Sequence, residues 1–479
     1  MPSRGQNISL FEGVDRIAVL LYMLLVAVGL VNIISASYND ELGIFSFKQQ
    51  YIKQLMWMGV SFGMGLIILL LDSKFYHMYA YYGYAMCVVL MLATLVPGLG
   101  REVNGARAWL IIGLQPIEFM KVATALSVAR LMSNYTFSIR SIGGLLRVAL
   151  LLVFPIGLTL MQNDTGSGVV LCSFIFVLYR EGLNKWICIP MIMVATLFIC
   201  SFLFTPLLLL LLLLLIFTLS DAMMIGEWKM HLIFVTALCF TALLLYGASL
   251  LFWHGALSGY LCLVISTILG VVAAAIYAIR KNIAAIFLTL SLFVGSMLFV
   301  PTADMIFESI LKPHQRERIL SFLGIVSDPS GADYNVNQSK IAIGSGGLFG
   351  KGFMEGTQIK YNFVPEKHTD FIFCTVGEEW GFIGAMIVLT LLCTLILRLM
   401  HMGERQQEPF SRIYSYCVAA ILLFHVLVNV GMTIGLMPVM GIPLPFLSYG
   451  GSSLVAFTIL VFIAIRLDAT PRKGLVSNI

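Results

Sequence analysis

Charge is what this sequence has least of. Lys, Arg, Asp and Glu supply only 11% of its 479 residues, against a hydrophobic share of 59%. A soluble domain carries about 25% charged residues. A chain this poor in charge cannot cover a large core with a water-facing surface, which excludes an ordinary soluble enzyme. Cysteine is present without pattern. All nine (Cys87, Cys172, Cys188, Cys200, Cys239, Cys262, Cys374, Cys393 and Cys417) fall in apolar segments. None has metal-ligand spacing, so neither a zinc site nor a disulfide framework is expected. The net charge of +5 is modest, and no nucleic-acid partner is expected from it. A cleavable signal peptide is not expected either. The first apolar run follows Asp15-Arg16, is about 20 residues long and suits a spanning helix that is retained.

What the chain has instead is long apolar runs, and the fold class they predict is an all-α polytopic membrane protein. Fourteen spans are expected, at 16–36, 52–72, 77–97, 116–133, 144–162, 166–181, 186–204, 206–220, 230–252, 258–279, 282–300, 371–398, 412–434 and 452–467. Several are short for a hydrocarbon layer of about 30 Å, 166–181 most of all. The unbroken apolar run 186–220 contains Pro206 and predicts a hairpin of two helices. Its nine consecutive leucines, 207–215, read as lipid-facing bulk.

Basic residues orient the spans. With a cytoplasmic N-terminus, the short inner loops carry Lys74, Arg140, Arg147, Arg180, Lys185, Lys229, Arg280, Lys281, Arg398, Arg405, Arg412, Arg472 and Lys473. The short outer loops carry only Lys48, Lys53, Arg101 and Arg107. That asymmetry obeys the positive-inside rule. Both termini are then cytoplasmic, and the long polar stretch 301–369 lies outside.

That stretch holds seven Lys/Arg, seven Asp/Glu and two His. Charge near lipid is costly and marks function. Within it, Asp328 sits in the turn SDPSGADYN, where an Asp often serves only as an Asx-turn. Downstream, GSGGLFGKG offers backbone N–H groups and Lys351, a set that suits a phosphate. VPEKHTDFIF then carries Glu366, Lys367, His368 and Asp370 into a helix, with Glu378 and Glu379 two turns deeper.

Three other segments carry polar chemistry. In GREVNGARAWLIIGLQPIEFMK, Arg107 sits outside the bilayer. Glu118 and Lys121 fall i, i+3 on one helix face, where they can pair. Such a pair either locks helices or lines a site. In MQNDTGSG, Asp164 can cap the helix that follows. In GLMPVMGIPLPFLSYGGSS, residues 435–453, three prolines and a Ser448-Tyr-Gly-Gly-Ser turn predict a rigid re-entrant loop. Irregular backbone at that depth is tolerated only against protein or a wet cavity.

HTDFIFCTVGEEWGFIGA, QSKIAIGSGGLFGKG and GMTIGLMPVMGIPLPFLSYGGSS together closely resemble the SEDS proteins (shape, elongation, division and sporulation). HQRERIL and SDPSGADYN look more like the rod-shape RodA branch than the division FtsW branch. The resemblance covers roughly 15–200 and 282–470. Where the family has QPSE this chain has QPIE, with Ile117; where it has PDLG, NDTG; where it has GAGYH, GADYN, with Asp333 and Asn335. Asp328 matches the family's essential aspartate. The resemblance implies a ten-helix core with about four added helices. It divides the chain into core helices at 1–202, an insertion at 203–281 and a second core part at 282–479.

The resemblance further implies a peptidoglycan glycosyltransferase that polymerises lipid II outside the bacterial cytoplasmic (inner) membrane, with a class B penicillin-binding protein, a transpeptidase, as partner. An α-linked donor and a β-1,4 product need one inverting displacement, with a carboxylate taking the acceptor proton. Asp328 is the expected base. Arg107, Arg316, Lys340 and Lys351 are candidates for the leaving diphosphate, and a divalent ion, magnesium or manganese, is the alternative source of positive charge. Glu118, Lys121, Asp164, His368, Asp370 and Ser448 are expected along the substrate cavity. The lipid tail would lie in an apolar groove against the membrane lipid. No organic cofactor is expected. Two other readings stay open: a lipid II flippase using Glu118, Lys121 and Asp164 as a path, and a non-catalytic scaffold for the partner synthase.

Overall fold

A computed structural model of the chain describes residues 13–38, 49–103, 105–252, 258–310, 313–325 and 333–469. The chain forms two compact units, Met1–Asn184 with Ser327–Ile479, and Lys185–Val326.

The first unit opens with α1 (Arg16–Ser37), α2 (Gln50–Leu70) and α3 (Ser73–Leu95). A short antiparallel hairpin follows, β1 (Gly100–Val103) and β2 (Ala106–Leu110). It pairs Arg101 with Trp109 and turns at Gly105, whose φ of 81° suits glycine. No strand is expected here from the sequence. Then come α4 (Pro116–Met132), α5 (Ile142–Met161), α6 (Thr165–Leu171) and α7 (Phe174–Arg180).

The second unit holds α8 (Lys185–Leu203), α9 (Pro206–Ile225), α10 (Trp228–Phe252), α11 (Gly259–Lys281), α12 (Ala284–Ile310) and α13 (Pro313–Phe322). The expected hairpin breaks at Thr205, whose hydroxyl accepts from Leu208 N at 3.4 Å and caps α9. Leu197, Leu209, Leu210, Leu213, Leu238, Leu263 and Phe293 form a buried core of this unit.

The chain returns to the first unit with α14 (Tyr334–Ser345), α15 (Thr357–Lys360), α16 (Ile372–Glu379), α17 (Gly381–Arg405), α18 (Pro409–Thr433) and α19 (Gly451–Asp468). Twelve described helices are long and apolar enough to cross a membrane. The other two of the fourteen expected stretches fall short. Helix α4 has 17 residues and carries Glu118, Lys121 and Arg130. The 165–180 stretch is interrupted at Cys172-Ser173.

The expected loop 301–369 needs correction. Helix α12 runs through Pro301 to Ile310. Beside the proline the Thr302 hydroxyl donates to Phe299 O at 2.7 Å, a back-bond to the residue three earlier. Much of the remainder is helical as α13, α14 and α15.

One end of the first unit is tied by charge. Asp15 caps α1 at Ala18 N, 3.0 Å, and pairs with Arg398 at 2.7 Å and Arg405 at 2.9 Å. Arg405 also pairs with Asp468, and Arg412 with Glu181 at 2.8 Å. These are the arginines that the charge asymmetry assigns to the inner face. The C-terminus of α1 and the β-hairpin mark the opposite end.

Candidate active site

The irregular segment after α18, residues 434–450, is the re-entrant loop expected from its prolines. Polar groups from three elements hold it. Asn429 Nδ2 donates to Ile442 O at 2.7 Å and to Asp370 O at 2.8 Å. Ser448 Oγ donates to Thr369 O at 2.7 Å and accepts from Leu444 N at 2.8 Å. Tyr449 N donates to His368 O at 2.8 Å. Ser448 therefore clamps the HTD segment to the loop through backbone contacts. Two glycines allow the approach: a Cβ on Gly29 would lie 2.3 Å from Phe446 O, and one on Gly166 would lie 2.1 Å from Met440 O.

Beneath the loop lies a sealed charge cluster. Lys121 Nζ donates to Glu118 Oε1 at 2.8 Å and lies 3.0 Å from His425 Nε2. His425 Nδ1 lies 3.0 Å from Pro443 O, and this contact links the cluster to the re-entrant loop. The Lys121 ammonium also sits 5.3 Å from the Phe457 ring. Lys121 is 1% exposed and Glu118 2%. The two residues pair as their spacing predicts. They occupy the packed interior between α4 and α18, where two desolvated charges depend on their geometry.

Asp164 does what its position suggests. It accepts from Ser167 N at 3.1 Å and Ser167 Oγ at 2.9 Å, and so caps α6. It also takes Gln115 Nε2 at 3.2 Å, which joins the start of α4 to the start of α6. Arg107 lies on β2, half exposed, 3.8 Å from Glu102. Its backbone N–H donates to Gln162 O at 2.8 Å. Lys340, on α14, lies across Gly435, where a Cβ would meet its Cε at 2.2 Å. Arg316 is on α13 in the second unit. Asp328 lies outside the described residues.

The glycine run is built differently from a phosphate cradle. Two of its N–H groups are spent on the break between α16 and α17, Lys351 N donating to Glu378 O at 3.0 Å and Gly352 N to Glu379 O at 3.1 Å, while Gly350 N turns back to Gly346 O at 2.8 Å. In return Phe382 N donates to Gly347 O at 2.9 Å. A Cβ on Gly346 would lie 2.0 Å from Gly377 O, and one on Gly350 would lie 2.1 Å from Glu379 O. The glycines are there for close backbone packing. Lys351 Nζ is engaged too, 2.7 Å from Glu378 Oε1. The same carboxylate, 0% exposed, accepts from Thr357 Oγ1 at 3.2 Å, Gln358 N at 2.9 Å and Ile359 N at 3.1 Å.

A cavity of about 1000 Å³ opens beside this assembly, between the end of α1, the start of α2 and residues 354–368, with Glu379 in its wall. Of the residues singled out in the sequence, Glu366, Lys367, His368 and Glu379 line it. Burial holds the His368 imidazole below its ordinary value, partly offset by Glu366. Burial likewise lowers Lys367, whose ammonium donates to Ile359 O.

The structure thus brings together Glu118 with Lys121, and His368, Asp370 and Ser448 at the re-entrant loop. Sequence reasoning missed His425 and Asn429. Their signal was available: two polar residues spaced i, i+4 on one face of an otherwise apolar helix. Among the described residues no group of three or more His, Cys, Asp or Glu side chains could hold a metal ion.

Comparison with known proteins adds a lineage to this geometry. The family model for FtsW, RodA and SpoVE, described as cell cycle protein, matches residues 15–214 and 209–473. The chain is 31% identical over 457 residues to the peptidoglycan glycosyltransferase RodA of Treponema pallidum, covering 92% of this chain and 94% of that one. It is 30% identical over 403 residues to the peptidoglycan glycosyltransferase MrdB of Escherichia coli, covering 82% of this chain and 79% of that one. The solved rod-shape-determining protein RodA of Thermus thermophilus shares the fold, with TM-score 0.53 at 22% identity over 95% of this chain and 96% of that one. A chain from a peptidoglycan synthase complex does so with TM-score 0.60 at 24% identity, over 95% and 97%.

Proposed function

The chain belongs to the FtsW/RodA/SpoVE family of cell cycle proteins, and from that membership we propose that it is a peptidoglycan glycosyltransferase polymerising lipid II during cell-wall elongation and rod-shape maintenance. One observation carries the reading: relatives named for that activity match at 30–31% identity over 82–92% of this chain. The protein is a multi-pass membrane protein. The basic-residue asymmetry supports cytoplasmic termini in a bacterial cytoplasmic membrane. A class B penicillin-binding protein is the proposed partner, supported by the fold likeness to a chain of a synthase complex.

The reaction is a single inverting displacement. The acceptor 4-hydroxyl oxygen bonds to the donor anomeric carbon as the bond to the diphosphate oxygen breaks. The hydroxyl proton passes to a carboxylate, which we assign to Asp328. The departing diphosphate takes its countercharge from exposed cations of the first unit, Arg107 and Lys340. Lys351 is a weaker choice because its ammonium is paired with Glu378. Among the described residues no group of three or more His, Cys, Asp or Glu side chains fits a resident divalent ion. Glu118, Lys121 and His425 act as the buried brace that fixes the re-entrant loop and, through it, the HTD segment.

The test uses purified protein with its partner in liposomes carrying labelled lipid II. The expected result is glycan polymer that is lost in Asp328→Asn, with protein level and partner binding unchanged. Losing a general base removes about 10²–10⁴ in rate. Lipid II transfer between leaflets without polymer would select a flippase. Normal polymerisation by Asp328→Asn would leave that residue a turn former and move the base elsewhere. Labelling of a cysteine placed at Gln406 from the outer side would overturn the orientation.

A further inference from the structure

Glu378 and Glu379 are adjacent carboxylates with opposite fates. The fold uses Glu378 completely, through Lys351, Thr357, Gln358 and Ile359. Glu379 accepts the Ser35 hydroxyl on Oε1. Among the described residues its Oε2 meets no donor at full hydrogen-bond geometry, the Met354 backbone being the other group near the carboxylate, although Glu379 is only 3% exposed and forms part of the wall of the 1000 Å³ cavity. A second wall residue repeats the pattern: Gln50 Oε1 is buried and has no partner among the described residues. Twelve buried side-chain atoms of the described residues are unmatched, and those of Glu379 and Gln50 matter here because both stand in the wall of one cavity, where a ligand can supply the donor.

The chemistry of the wall narrows what supplies those donors. Ser37, Gln50 and Asn362 offer hydroxyl and amide groups, and Lys360 stands at the rim. A diphosphate would set its negative charge against Glu379 and Glu366, and of the two wall lysines Lys367 already donates to Ile359 O, which leaves Lys360 as the other cation. A metal ion would find no cluster of three ligands among the described residues. A ligand rich in hydroxyl and amide N–H donors matches both orphan acceptors. The cavity also lies at the end of α1 opposite the Asp15–Arg398–Arg405 cluster, the side assigned to the cell exterior. Building on the reading that the chain polymerises lipid II, we propose that this cavity is a saccharide subsite. It takes N-acetylated amino-sugar units of the glycan, with a sugar hydroxyl or acetamido N–H donating to Glu379 Oε2.

The test uses the full chain with its partner and labelled lipid II. Glu379→Gln keeps the size of the side chain and a carbonyl oxygen for Ser35, but replaces the orphan acceptor with an NH₂ group. The expected result is a KM raised by about tenfold or more, the scale of one lost hydrogen bond to a charged group, with kcat within about threefold. A photo-reactive residue at Lys360 should cross-link to labelled glycan, and Glu379→Gln should reduce that cross-link by a similar factor. Unchanged KM and cross-link yield would mean the cavity holds only water and would overturn the subsite. A loss confined to kcat would overturn it as well. If Glu379→Gln fails to accumulate, Lys360→Trp, on the exposed rim, blocks the entrance and is judged by the same KM. Absence of polymer from the wild-type protein would sink the enzyme reading itself, an outcome separate from these.

Discussion

Helices α18 and α19 of the first unit and helices α8 and α10 of the second are about equally apolar, yet they are used differently. In their most apolar windows, α18 and α19 are 78% buried, whereas α8 is 6% and α10 is 11% buried. The first pair also carries inward polar side chains: His425 and Asn429 on α18, and Thr458 on α19, which bonds Tyr22 at 2.9 Å. The second pair presents most of its surface outward, and the unit around it packs through leucines. Helices that only need to sit in lipid tolerate any large aliphatic residue. Helices that must place a loop cannot, because a buried polar group accepts few partners and few geometries.

The contrast predicts where substitution hurts most. Lys121→Ala should have the largest effect of the changes considered, because it strands Glu118 in the packed interior. Breaking a buried ion pair costs about 3–5 kcal/mol. Thermal unfolding of the solubilised protein should register the loss together with polymerisation. A neutral pair, Glu118→Gln with Lys121→Met, should recover much of the stability. If Lys121→Ala melts like the wild type, the brace is not structural and the charge belongs to the substrate.

Lys351→Ala comes next. Charge-assisted hydrogen bonds contribute about 1.5–3 kcal/mol, and here they hold α15 to α16. The expected sign is faster proteolysis of the 345–360 segment, accompanied by reduced activity. A raised KM for lipid II with unchanged proteolysis would instead restore Lys351 as a phosphate ligand.

His368 should give a smaller, pH-dependent effect. Its folded value lies below the ordinary 6.5, so the unfolded chain binds more protons in that window. Stability should therefore fall as pH drops below about 6.5, and be at its full value above it. His368→Asn should flatten the dependence between about pH 7 and pH 5. A melting temperature that follows pH identically in both proteins would remove His368 from the account.

The smallest effect is expected in the second unit. Leu211, 40% exposed, lies in the poly-leucine run. Leu211→Ala should change stability by less than about 1 kcal/mol and leave polymerisation rates unchanged. A clear loss of activity there would break the contrast between the units.

Local pattern carried much of this. The α8–α9 hairpin was legible because Pro206 must start a helix, and the Asp164 cap because Asp before Thr-Gly accepts backbone N–H groups. The Glu118–Lys121 pair was legible because i, i+3 residues share a face. The glycine run misled for the same local reason. Backbone N–H groups in a row look available until a partner is known, and here the partner is the α16–α17 break, about 30 residues further along the chain. The β-hairpin escaped notice because two four- to five-residue strands leave little periodicity to read. The end of α12 escaped because Pro301 is a stop signal in sequence but can be accommodated within a long helix.

Apolar run length thus determined class, since it depends on transfer between water and lipid and not on contacts, and the placement of basic residues supports the proposed orientation on the same ground. Which carboxylate is consumed and which is left facing a cavity was decided by tertiary structure alone. Glu378 and Glu379 are identical in type and adjacent in sequence. Only the packing of α15, of the glycine run and of Ser35 against them satisfies one and, among the described residues, leaves an oxygen of the other open.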